Sequence, residues 1–259
     1  MIGFLISAIK IIFLLGFLIF IHEGGHFLVA KLCKVRVNEF AIGFGPTLFS
    51  KQGKETKYAL RAVPLGGFVN LEGEEESSDA EGSFSKTSIP KRIAIVAAGA
   101  TVNIVFGLII YFVLMTFGGS MTMADGTVLE DTVYNHIYNG FVKTSQFSVA
   151  IIDGLKDLIT QGLKIDQMTG IVGISDTVAA TNGIKQYIYI MAVISVSLGI
   201  TNLLPIPALD GGKIVILIIE AIRGKPLKQE IESAITLLGF SLLIMLSVYV
   251  TYNDILRIF

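Results

Sequence analysis

Residues 11–30 read IIFLLGFLIFIHEGGHFLVA and give the strongest indication of the fold. A transmembrane helix needs roughly 20 predominantly apolar residues, and this segment has that length. His22, Glu23 and His26 nevertheless lie inside it. A charged side chain costs about 2.5–3.5 kcal/mol at the centre of a membrane helix on insertion scales, so three ionisable residues together indicate a functional site.

The composition of the whole chain agrees with a membrane protein. Of its 259 residues, 53% are hydrophobic and 16% are charged, and the mean hydropathy is +0.71. Soluble globular proteins carry about 25% charged residues. The single cysteine excludes an internal disulfide framework. The net charge of −1 leaves no basic surface, so no nucleic-acid partner is expected.

Four apolar stretches predict the architecture. We expect an α-helical integral membrane protein, embedded in the lipid bilayer, with about four transmembrane helices. We treat residues 1–259 as one polytopic domain. The four predicted spans are residues 1–32, 93–117, 187–222 and 234–252.

Basic residues in the connecting segments predict the orientation. Residues 31–92 contain ten Lys or Arg residues, whereas residues 118–185 contain four against seven acids. Cytoplasmic loops are enriched in Lys and Arg. We therefore expect segment 33–91 to be cytosolic, and both termini and loop 118–185 to be extracytoplasmic, in the inner (cytoplasmic) membrane. A signal peptide is disfavoured, because a basic n-region and an A-x-A-like cleavage site are lacking.

A small β region is predicted within the cytosolic segment. Short β-prone runs alternate with turns at residues 43–46 and 52–54, and an acidic loop follows. We expect this sheet to lie against the membrane. The runs are Val35–Ile42, Thr47–Ser50, Thr56–Val63 and Leu65–Val69.

His22 and His26 have the spacing of a helical zinc site. Residues i and i+4 lie on one face of a helix, about 6 Å apart along its axis, so two imidazoles can share one zinc ion. Glu23 can then reach a water on that metal. A chance occurrence of the pattern is the alternative. However, the chain has only three histidines, and two of them are here.

A catalytic zinc site needs a third protein ligand. His136 lies in the predicted extracytoplasmic loop, on the wrong side. Cys33 follows the first span and has no intramembrane context, and Glu220 could pair with Arg223. Asp210 is the best remaining candidate.

Asp210 follows an unusual segment of the third span. Residues 202–212 read NLLPIPALDGG. Two prolines remove backbone donors and break a helix, which a membrane tolerates only where the backbone is buried in protein or lines a cavity. The alternative is a kinked helix in which Asp210 caps the next segment or pairs with Lys213.

Together, HEGGH at residues 22–26 and NLLPIPALDGG at 202–212 resemble the intramembrane site-2 protease family of zinc metalloproteases, most closely the bacterial regulator-of-sigma-E protease type. Further similar motifs are Gly43-Phe44-Gly45-Pro46, Pro64-Leu65-Gly66-Gly67, Gly170-Ile171-Val172-Gly173-Ile174 and Arg223-Gly224-Lys225-Pro226.

The resemblance implies roles for particular residues. Zinc would be held by His22, His26 and Asp210, with Glu23 as general base and acid. Asn202 would bind or polarise the substrate backbone. The β region would present the substrate strand, which assigns substrate binding to the stretch Gly43, Phe44 and Gly45.

The resemblance also implies the function. We expect an intramembrane endopeptidase that cleaves the transmembrane segments of single-span proteins, such as anti-sigma factors or remnant signal peptides. Members of this type commonly carry PDZ domains after the second span, and loop 118–185 is too short for one. The alternatives are a non-proteolytic metal or ion transporter and an inactive membrane scaffold.

Overall fold

The structure is a computed structural model that describes residues 2–74, 78–123, 126–161 and 169–258. Within these ranges it contains seven helices and one two-stranded sheet. In chain order, the elements are α1 (Ile2–Leu32), β1 (Val37–Gln52), β2 (Lys57–Leu71), α2 (Ile89–Gly118), α3 (Val133–Gln161), α4 (Ile171–Ala179), α5 (Ile184–Leu203), α6 (Asp210–Arg223) and α7 (Gln229–Ile258).

Among the described residues, four helices are long and apolar enough to cross a membrane. They lie within α1, α2, α5 and α7, at Leu5–Leu32, Ile89–Gly118, Ile184–Leu203 and Gln229–Leu256. Many of their large apolar side chains are exposed in the structure, as expected for surfaces that face lipid. The predicted fold class, a helical membrane protein with about four spans and a small β region, is confirmed.

The third apolar stretch contains two helices, because α5 ends at Leu203 and α6 begins at Asp210. Pro205 and Pro207 lie between them and cannot donate backbone hydrogen bonds. Ala208 has a φ of 74°, in the left-handed region that L-residues rarely adopt. This bend turns the chain so that Asp210 starts a new helix.

The four predicted β runs form two strands, because the first two are continuous in β1 and the last two are continuous in β2. Strand β1 continues through residues 43–46, where the sequence predicts a turn. Gly43 and Gly45 have φ values of 90° and 80°, so they bend the strand without ending it. The bend places Phe40 opposite both Val69 and Tyr58 of β2. The second predicted turn separates β1 from β2.

Helices α3 and α4 lie between α2 and α5, in the segment 118–185 that the sequence predicts to be a loop. An isolated bridge joins Thr122 to Val128. In the described residues of this segment there is no further sheet.

The chain divides into two compact units, Met1–Ile104 with Ser197–Met245 and Val105–Val196 with Leu246–Phe259. In the first unit, buried apolar residues from α1, the sheet, α2 and α6 form one core: Ala30, Val35, Val37, Leu71, Phe84, Ile95, Val96 and Leu217. In the second, the rings of Tyr111 and Phe147 stack at 4.3 Å. The candidate site lies in the first unit.

Candidate metal centre

Helix α1 places two imidazoles on one of its faces. His22 and His26 are one turn apart, and their Nε2 atoms lie 3.2 Å from each other. His22 is buried, and the side chain of His26 is 13% exposed. Two nitrogen lone pairs at this distance repel each other unless a proton or a cation lies between them. The pair is therefore arranged to share a positive charge.

Asp210 joins this pair as the first residue of α6. Its Oδ2 atom lies 3.3 Å from Nε2 of His22 and 3.5 Å from Nε2 of His26. In the parts of the chain that the structure describes, His22, His26 and Asp210 form the one group whose ligand atoms are close enough to hold a metal ion. The helix break thus brings the sequence-predicted third ligand to the histidines.

The three ligand atoms fit zinc. Bonds of 2.0–2.2 Å in a tetrahedral site separate neighbouring ligand atoms by about 3.4 Å. The observed separations are 3.2, 3.3 and 3.5 Å. Asp210 Oδ2 is also buried without a hydrogen bond from any described residue. A cation at the centre of the three atoms would compensate for that burial.

Contacts behind the rings orient the histidines. Nδ1 of His26 lies 2.9 Å from the backbone oxygen of Ile95. A carbonyl oxygen can only accept, so this nitrogen carries the proton and Nε2 of the neutral ring keeps its lone pair. The fully buried Asn103 places its amide against His22, with Nδ2 3.3 Å from Nδ1. Metal binding at His22 Nε2 requires the amide to present its oxygen to Nδ1 instead, which a 180° rotation achieves.

Two glycines allow α1 and α2 to approach closely at the site. A Cβ atom at Gly25 would lie 2.7 Å from the backbone oxygen of Ala98, and one at Gly99 would collide with the His26 ring. Larger residues at either position would separate the helices or displace the imidazole. The small residues in HEGGH therefore serve helix packing at Gly25, whereas Gly24 has open space around its Cα.

The other candidate ligands have different partners. Buried Glu220 accepts hydrogen bonds from Arg92 at 3.1 Å and from the backbone of Leu227 at 2.8 Å. His136 contacts the backbone oxygen of Thr116 and the carboxylate of Asp131. Cys33 is a free thiol just beyond α1. Thus Glu220 is buried in an ion pair, but with Arg92 and not with the neighbouring Arg223.

Lys213 also has a partner other than Asp210. Its ammonium group pairs with Glu232 of α7. Asp210 therefore does not pair with Lys213, the alternative that the sequence left open.

For the predicted substrate-binding residues, the structure gives a position in the fold but no described contact with the candidate metal ligands. Asn202 lies in the last turn of α5 and is half-buried, and no hydrogen bond of its side chain is described. Gly43, Phe44 and Gly45 form the bend of β1, and the Phe44 side chain is half exposed. Glu23 is half-buried beside the two histidines and interacts electrostatically with both of them and with Asp210.

Sequence reasoning missed Asn103 and Gly99. Both lie in α2, within the uncharged span 93–117, which the sequence identifies only as a membrane helix. Their spacing of four residues puts them on one helix face, and an amide within an apolar span is a signal of a polar contact. Nothing local to α2, however, identifies His22 and His26 as the partners.

Comparison with known proteins gives the family. A profile of Peptidase family M50 matches residues 10–246. The chain belongs to this family. A protein of Clostridium acetobutylicum named "Putative zinc metalloprotease" is 30% identical and aligns over 93% of this chain and 94% of its own length. Zinc metalloprotease RasP of Geobacillus kaustophilus is 24% identical over 98% of both chains.

The alignments are longer than this chain. That with the Clostridium protein extends over 320 positions and that with RasP over 414, compared with 259 residues here. These relatives therefore contain residues without a counterpart in this sequence. The chain belongs to a peptidase family, and its described part contains four helices that could span a membrane. Together these findings favour a membrane-embedded metallopeptidase over the transporter and the scaffold.

Proposed function

We propose that this protein is a zinc-dependent intramembrane endopeptidase that cleaves the transmembrane segments of single-span membrane proteins. The observation that carries the proposal is the set of separations between Nε2 of His22, Nε2 of His26 and Oδ2 of Asp210, with the carboxyl of Glu23 beside them. The names of the relatives, which describe zinc metalloproteases, support the choice of metal.

The residues divide the chemistry between them. His22, His26 and Asp210 would hold zinc, which supplies a Lewis acid for the scissile carbonyl and lowers the pKa of a bound water. Glu23 would take the proton of the attacking water and return it to the leaving amine. Asn202, at the end of α5, would hold the substrate backbone, and its amide could donate to the developing oxyanion.

The sheet would present the substrate. The second half of β1, residues 44–52, is exposed in the structure. An extended segment can pair with such a strand through its backbone, the mode known as β-augmentation. A helical substrate must first unwind, because its backbone groups are otherwise bonded within the helix. Gly43, Phe44 and Gly45 form the bend from which this exposed strand starts.

Cleavage of a purified single-span substrate tests the proposal. Wild-type protein in proteoliposomes should cut a single-span reporter and contain about one zinc per chain. Glu23→Gln should retain the zinc and lose cleavage, because Glu23 is not a ligand. The matched control is Glu130→Gln, an exposed acid in the loop after α2, which should cut normally. Cutting by Glu23→Gln would refute this mechanism.

We also propose the orientation predicted by the charge distribution, with both termini extracytoplasmic in the inner membrane. In a Cys33→Ser background, a cysteine at Glu81 should be protected from an impermeant thiol reagent applied to whole cells. A cysteine at Glu130 should react. Both side chains are exposed in the structure, so burial does not explain a difference between them. The reverse labelling pattern would invert the orientation.

A further inference from the structure

The dipeptide Gly66–Gly67 has no role in the proposed mechanism. It nevertheless contacts two residues that do, because Gly66 lies against Phe44 and Gly67 lies against Glu23. It belongs to β2, where Gly67 pairs with Ile42 of β1. Gly66 has a φ of 144°, and a Cβ atom there would overlap the ring of Phe44. The strand therefore passes Phe44 with backbone alone.

Gly67 contacts Glu23, the proposed general base, in the same way, with its backbone alone. A Cβ atom at Gly67 would lie 3.0 Å from Cγ of Glu23, 3.2 Å from Cγ2 of Ile19 and 2.9 Å from the backbone oxygen of Ala41. Ordinary carbon–carbon contacts are about 3.5–4.0 Å. Only glycine allows β2 to rest this closely on the Glu23 side chain.

Aromatic contacts hold the sheet against α1 on both sides of Glu23. The ring of Phe40 in β1 lies 6.0 Å from that of Phe20 and 5.4 Å from that of Phe27. Phe20 is three residues before Glu23, and Phe27 is four residues after it. Because these spacings keep all three residues near one helix face, the sheet covers Glu23 where it covers the two rings.

We infer that Gly67 is a positioning residue for Glu23, an inference that rests on the proposed function. The β2 backbone closes one side of the Glu23 side chain and limits its rotamers to those that leave the carboxyl beside the metal ligands. A glutamate otherwise samples many rotamers, and fixing one before the reaction lowers the barrier. A methyl group at residue 67 would displace Glu23, whereas neither His22 nor His26 is among its three nearest contacts.

Gly43 supplies a matched comparison within the same sheet. A Cβ atom there would lie 2.8 Å from the backbone oxygen of Val63 and 2.9 Å from that of Arg61. Substitution at Gly43 or Gly67 therefore forces a methyl group against a carbonyl of the other strand. Of the two, only Gly67 has Glu23 among its nearest contacts.

The experiment compares Gly67→Ala, Gly43→Ala and Gly16→Ala in proteoliposomes with the single-span reporter. Gly16 lies in α1 with open space around it, so its variant controls for the substitution itself. Gly67→Ala should lower kcat about 10- to 100-fold and leave KM and zinc content near the wild-type values. Gly43→Ala should mainly raise KM, because it disturbs the strand that holds the substrate. Gly16→Ala should behave as wild type.

A rescue variant separates displacement of Glu23 from general damage. Ile19→Ala removes one of the groups that crowd residue 67, so the double variant Ile19→Ala/Gly67→Ala should recover part of kcat. If Gly67→Ala alone shows no thermal unfolding transition, and so does not fold, the kcat of the double variant is compared with that of Ile19→Ala instead. Loss of zinc in Gly67→Ala, a KM effect equal to that of Gly43→Ala, or unchanged kcat would each overturn the inference. Failure of the wild-type protein to cut the reporter would instead count against the proposed function.

Discussion

Asp210 and Asp254 are both acids within apolar helices, but their surroundings differ. Asp254 in α7 is 2% exposed, and its Oδ2 atom accepts hydrogen bonds of 2.9 Å from the backbone N–H groups of Gly170 and Gly173. The side chain of Asp210 is 20% exposed, and its Oδ2 faces two imidazole nitrogens. The carboxylate of Asp254 therefore accepts hydrogen bonds from backbone donors, whereas that of Asp210 lies with two imidazole nitrogens around a point where a metal ion would fit.

This difference separates a structural acid from a candidate metal ligand. Two N–H groups at the start of α4 satisfy the charge of Asp254 and fix that helix to α7. Gly170 and Gly173 permit the approach, since a Cβ atom at either would come within 3.2 Å of the carboxylate. The motif Gly170–Ile174, known from the sequence only as a family resemblance, is thus explained by its contacts with Asp254. Burial of an acid in a membrane protein is not by itself a sign of catalysis.

The largest expected effect separates the two acids directly. Asp210→Ala should lose zinc and all cleavage, because two imidazoles alone rarely retain a catalytic zinc. Asp254→Ala should keep the zinc. The measurement is zinc content after dialysis against a weak chelator, with cleavage of the reporter in parallel. Equal zinc loss in both variants would mean that the comparison is wrong.

A second expected effect comes from the glycine beside His26. Gly99→Ala places a methyl group on the imidazole and should weaken zinc affinity by about 100-fold, at the upper end of effects from groups that support ligands. The control is Gly154→Ala in α3, where a Cβ atom meets open space. Competition with a fluorescent zinc chelator gives the affinity. Wild-type affinity in Gly99→Ala would show that the helices can separate without moving His26.

Asn103 provides a smaller and more specific effect. Asn103→Leu should reduce zinc affinity about 10-fold, because His22 loses the group that orients its ring. Asn103→Asp should retain the affinity, since a carboxylate can only accept from Nδ1 and so favours the metal-binding tautomer. If the aspartate variant loses more zinc than the leucine variant, the amide donates to His22 instead.

The smallest expected effect on zinc content is that of Asp254→Ala, which should lower the stability of the protein instead. Asp254→Ala leaves two backbone N–H groups without their acceptor and should lower the free energy of unfolding by about 1–3 kcal/mol for each group that stays buried. Asp254→Asn retains an acceptor oxygen and should lose less. Thermal unfolding in detergent measures both variants. No change in either would remove the structural role assigned to this acid.

The class of protein and most of the candidate site follow from local features of the amino-acid sequence. Apolar stretches of about 20 residues specify membrane helices regardless of their neighbours, because unsatisfied backbone groups are too costly in lipid. The spacing of His22, Glu23 and His26 is a property of one helix, so it can be read locally. The prolines at 205 and 207 likewise predict a break without knowledge of the fold.

The sequence favours Asp210 over Glu220 and Cys33, but the contact of its Oδ2 atom with both histidines is visible only in the folded chain. The contacts of Asn103, Gly99 and Gly67 with the site residues are likewise visible only there. Each of these assignments depends on contacts between residues far apart in the chain, such as Oδ2 of Asp210 with the α1 histidines and β2 with Glu23. Periodicity and propensity report which face of an element is apolar, but not which element lies against it. The choice of partner is made by packing, in which the absence of a Cβ atom matters as much as the presence of a ligand.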